Sequence, residues 1–150
     1  MKKVEGEIAD DDPRIGQEQL ISALSNPDCP KITDGMEAGA TYEFEEDSWY
    51  RVADRWAPFV DWVVTLADLV GLPGKLPEPD STIAFRDIFL YLNHGGTFGP
   101  VASKKLAEDF ALWDERALAL EDKDFYDLFR LMRNMFEFAA EGGACWLRCW

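Results

Sequence analysis

A chain of 150 residues that is 47% hydrophobic and 13% aromatic can bury a core of its own, which excludes a disordered chain and fits one domain spanning 1–150. Its formal net charge of −14, from 29 acidic and 15 basic side chains, repels nucleic acid and anionic membrane and suits a basic protein as partner. The excess is uneven: residues 1–46 carry 12 acids and 4 bases, a balance of −8, against −3 for 47–100 (7 acids, 4 bases) and −3 for 101–150 (10 acids, 7 bases).

Residues 1–12 are polar, end in Asp10-Asp11-Asp12 and read as a flexible acidic terminus. The two lysines near its start are followed by no apolar run, so no secretory leader is expected. Asp12-Pro13 reads as a helix start, an Asp cap with proline at the first helical position, and Ile15, Leu20, Ile21 and Leu24 supply an apolar stripe. Asn26-Pro27 ends it, and residues 27–40, with two prolines and two glycines, read as loop. Thr41–Phe44 alternates and predicts a short strand. Asp47 or Ser48 then caps a helix whose face is marked by Trp49, Val52, Trp56, Phe59, Val63 and Val70. Pro58 is expected to kink or split it, and Gly71 to stop it.

Beyond the proline-rich turn 72–80, Asp80 or Ser81 caps a helix from Thr82 to about Leu92, closed by Asn93-His94-Gly95-Gly96. Gly99-Pro100 opens another, with Leu106, Phe110, Trp113 and Ala117 on one face. Asp122 or Asp124 starts the last, lined by Phe125, Phe129, Met132, Phe136 and Ala139 and ended by Gly142-Gly143. The apolar tail 144–150 is expected to pair as a strand with 41–44. The fold class is therefore mainly α: a single domain of four to five helices with a two- or three-stranded β fringe at 41–44 and 144–150.

The run Gly99-Pro100-Val101-Ala102-Ser103-Lys104-Lys105-Leu106-Ala107-Glu108-Asp109-Phe110, with Phe136-Glu137-Phe138-Ala139-Ala140-Glu141-Gly142-Gly143-Ala144, resembles a family of small acidic bacterial proteins. Tyr50–Trp56 is similar to that family's tyrosine-to-Arg-Trp segment, so the likeness spans roughly 42–150. It implies a compact helical domain and no particular activity. Where that family carries Asp-Cys-Glu-Gly, this chain has Asn93-His94-Gly95-Gly96, and its closing residues, Cys145 to Trp150, differ as well.

No nucleophile elbow, phosphate-binding glycine loop or His-Glu-x-x-His occurs, so no catalytic residue, cofactor or metal is expected. His94, the one histidine, reads as a helix-ending residue. Cys29, Cys145, Cys149 and His94 could make a zinc set, but their scattered spacing favours idle thiols. An odd cysteine count argues against a disulfide framework and for the cytoplasm. Trp49, Trp56 and Trp113 lie on apolar faces; Trp62 fits its stripe less well; Trp146 and Trp150 close the chain. The remaining candidates are the carboxylates Asp10, Asp11, Asp12, Glu43, Glu45, Glu46 and Asp47, which read as a docking surface for a basic protein, either a toxin or a nuclease. The expected function is a non-enzymatic inhibitor of the toxin-immunity type. The alternatives are an acidic nucleic-acid mimic, such as a phage-encoded inhibitor of a nuclease defence system, and an enzyme with its site near Asn93–Gly96.

Overall fold

The computed structural model describes residues 1–16, 19–44, 56–72 and 74–147. In chain order these form β1 (Lys2–Lys3), α1 (Pro13–Gly16), β2 (Leu20–Ser22), β3 (Thr41–Glu43), α2 (Trp56–Leu69), α3 (Arg86–His94), α4 (Pro100–Leu118) and α5 (Lys123–Ala140). The protein is mainly α with a three-stranded antiparallel sheet, as its residue pattern predicts.

The core lies among α2 to α5 and is largely aromatic. Phe110 on α4 meets Phe85 and Phe129 edge-on, each at 4.8 Å between ring centroids. Trp62 of α2 stacks on Phe125 at 5.8 Å and donates its indole N–H to the Phe125 carbonyl at 3.1 Å. Only 5% exposed, it is a core residue despite its imperfect place on the helical stripe. Pro58 is the third residue of α2 as described, and the chain before Trp56 lies outside the described residues. The expected Asp47 or Ser48 cap, with Trp49 and Val52, lies outside the described residues.

The α4–α5 hairpin follows its sequence signals closely. Proline opens α4, and the Asp122 side chain accepts the Phe125 amide at 3.0 Å to cap α5. Helix α3 departs from expectation. It begins at Arg86, because Ser81 takes the Ile83 amide in a local turn. Its cap comes from far along the chain: Phe85, fully buried at φ 59°, gives its amide to Asp109 on α4. The aromatic contacts of Phe85 hold that left-handed residue in place.

Two expectations about strands are corrected. Leu20–Ser22 is a strand, not the continuation of a helix from Pro13. Ile21 and Ala23 are buried while Ser22 and Leu24 face water, a period of two that tertiary pairing selects over the helical one. The described part of the tail, 144–147, does not pair with β3, whose two edges are taken by β1 and β2. Instead Cys145 and Phe98 exchange two backbone hydrogen bonds of 2.9 Å. Near the start of the chain, Lys2 and Lys3 pair with Glu43 and Tyr42. Residues 148–150 lie outside the described residues.

The sheet is tied to the helical body through the loop after α3. Thr97 takes the Leu24 amide and gives its hydroxyl to the Ser22 carbonyl. Gly99 sits against the 33–34 backbone, where a Cβ would come within 2.5 Å of the Asp34 carbonyl oxygen, so only glycine fits.

Candidate acidic interface

Arg14 organises the acidic residues of the N-terminal third. Pro13 and the short turn of α1 direct its side chain back to Asp12, whose two oxygens accept Nε at 2.9 Å and Nη2 at 2.6 Å, while Oδ1 also takes the Arg14 amide at 2.9 Å. The second guanidinium nitrogen, Nη1, reaches Glu43 Oε2 at the end of β3, at 3.0 Å. Asp12 and Glu43, 31 positions apart, thus share one cation. These hydrogen bonds hold the Asp12 carboxyl down at about 2 and raise the Arg14 guanidinium further above its ordinary value.

Asp10 and Asp11 are exposed in the turn just before this cluster. Of the seven predicted docking carboxylates the structure thus brings Asp12 and Glu43 together on Arg14, Asp10 and Asp11 precede them in sequence, and Glu45, Glu46 and Asp47 lie outside the described residues. On the same sheet, Lys3 bridges to Glu37 at 2.6 Å beside an open depression of about 490 Å³ between residues 3–8 and 37–41.

Polar groups near the second candidate site pair with one another. Buried Asn26 donates to the carbonyls of Leu90 and Gly95 and accepts the amides of Asp28 and Cys29, so one side chain closes the end of α3. Asp28 in turn takes Asn93 at 2.7 Å and lies 3.3 Å from His94 Nε2. His94 ends α3, as its place before two glycines predicts. Asn26 was legible only as a helix stop, since its short amide before Pro27 says nothing about which distant carbonyls it meets.

The thiols are shielded. Cys29 is pushed up to about 12, first by burial and then by the buried Asp87 carboxylate that accepts its S–H; Arg86 pairs with the same Asp87 at 2.7 Å. Burial alone takes Cys145 to about 12. At neutral pH both are protonated thiols, poor nucleophiles and poor metal ligands. Among the described residues no three His, Cys, Asp or Glu side chains come together as a metal set, and Cys149 lies outside them. Trp146, at 41% exposure, keeps part of its indole in water.

No helix among the described residues is long and apolar enough to cross a membrane. No family model, curated protein or solved structure matches this chain.

Proposed function

We propose that this protein is a non-enzymatic binding protein that captures a basic protein through its acidic N-terminal face, in the manner of an immunity protein neutralising a toxin. The observation that supports it is the Arg14 cluster. One arginine draws Asp12 and Glu43 from separate segments to a common place, with exposed Asp10 and Asp11 preceding them in sequence. Arg14 cancels only part of that charge, and residues 1–46 keep a balance of −8. Such a surface speeds encounter with a basic patch, and the complex weakens as salt screens it.

The test is capture from a lysate of the native cells, comparing the wild type with the triple variant D10N/D11N/E43Q. A basic protein retained by the wild type, lost by the variant and released between roughly 50 and 300 mM salt is the expected result. Equal retention by both, or retained proteins that are all acidic, would refute the reading. Removing residues 1–12 outright is the wrong experiment, because Lys2 and Lys3 are strand residues whose loss alters the sheet.

A further inference from the structure

Helix α4 has two faces, and the outer one is unusual. Its inner face carries Leu106, Phe110 and Ala117 into the core. The outer face repeats at alternating steps of three and four residues: Val101, Lys104, Glu108, Ala111, Glu115 and Leu118, all solvent-exposed. Leu112, at 78% exposure, and Ala119 flank this line. A solvent-facing helix stripe is ordinarily polar. Here Val101 and Leu118, at the two ends of the stripe, are each 57% exposed.

We infer that this face is a self-association surface, on which a second copy of the chain docks its own α4 antiparallel. The argument is the order of residues along the stripe. Laid antiparallel on itself, with the two-fold axis level with Asp109 and Phe110, the helix sets Val101 against Leu118, Lys104 against Glu115 and Glu108 against Ala111. By symmetry each pairing occurs twice, so the apolar ends meet apolar ends and the stripe's single cation meets an anion in both halves. A parallel pairing would instead oppose Lys104 to Lys104 and Glu115 to Glu115. Within the chain neither Lys104 nor Glu115 has an ion-pair partner among the described residues; the neighbouring Lys105 is the one that pairs, with Asp109.

The contact is small. A 19-residue helix is about 28 Å long, and one helix pair lies at the low end of stable interfaces. The charge of −14 on each copy also opposes association. The dimer is therefore weak and concentration-dependent.

Sedimentation velocity from ~5 to ~500 µM protein at ~0.15 M salt tests this, because a small interface populates within that range. The wild type should pass reversibly from monomer to dimer, and Leu112→Arg with Leu118→Arg should hold it monomeric. Lys104→Glu or Glu115→Lys alone should weaken dimerisation about 10-fold, since each creates two like-charge contacts. The double variant K104E/E115K should restore it to within about 3-fold of wild type, because each swapped residue meets its swapped counterpart on the other copy. All these positions are exposed, and unchanged circular dichroism confirms folding. A wild type that stays monomeric throughout, or a dimer indifferent to the charge swaps, overturns the inference. So does a monomer in which Leu112→Arg abolishes capture of the basic partner, which would assign the stripe to that partner.

Discussion

The helical body and the N-terminal layer are built on different terms. The body, α2 to α5, buries a continuous cluster with Phe59, Phe85, Phe98, Phe110, Phe129 and Phe136 all below 2% exposure. Among the described residues, the layer of β1, α1, β2 and β3 has a buried cluster of Ile21, Ala23 and Tyr42 alone. What the layer lacks in apolar area it replaces with directed polar links: Arg14 to two carboxylates, Thr97 to two backbone groups and Asn26 to four. Burial is non-directional and tolerates repacking, whereas polar links need particular partners. The body should thus resist any single polar change, while the layer depends on a few side chains.

The sharpest way to test that division is to damage each part once. Phe110→Ala removes a ring touched by four other aromatics and should cost about 3–5 kcal/mol in urea denaturation, with the whole molecule losing stability. Asn26→Ala should cost less, about 2–3 kcal/mol, because it strands buried backbone groups at the end of α3 without opening the aromatic core. Hydrogen exchange should then speed first at 22–29 and 95–97, with the amides of α4 and α5 following only the global change. Uniform acceleration across α4 and α5 with Asn26→Ala would mean that the two parts are not separable.

The division also marks what could be read beforehand. The α4–α5 hairpin was legible because every signal is local: Pro100 at its start, Asp122 as cap and apolar residues at helical steps. In the first third the strand at Thr41–Glu43 follows its local alternation, but Leu20–Ser22 does not, for the opposite reason. Leu20 to Leu24 fits both periods, and only the partners of Ile21, which are Tyr42 and its neighbours on β3, decide between them. The same holds for Phe85, capped by Asp109 from 24 positions away, and for Cys145, which bridges Phe98. For the candidate interface, residue types named Asp10 to Asp12 and Glu43 but not Arg14. A lone basic residue directly after an Asp-Pro start carries no sign of the distant Glu43 it will meet.

The smallest effect concerns that arginine. The Asp12 carboxyl is held at about 2 by Arg14, against 3.8 in the unfolded chain. A lowered folded value means that the Arg14 contact stabilises the layer fully above the unfolded value and is lost as pH falls through about 2. Both side chains touch water, so the global denaturation midpoint should scarcely move between pH 7 and pH 4 on this account. The local readout is a carbon-detected NMR titration of the Asp12 carboxyl. Its midpoint should lie near 2 in the wild type and rise toward 3.8 in Arg14→Ala, while the Phe110 ring resonances stay in place. A wild-type midpoint already near 3.8 would show that Arg14 is not seated between Asp12 and Glu43, and the acidic face would lose the one cation that organises it.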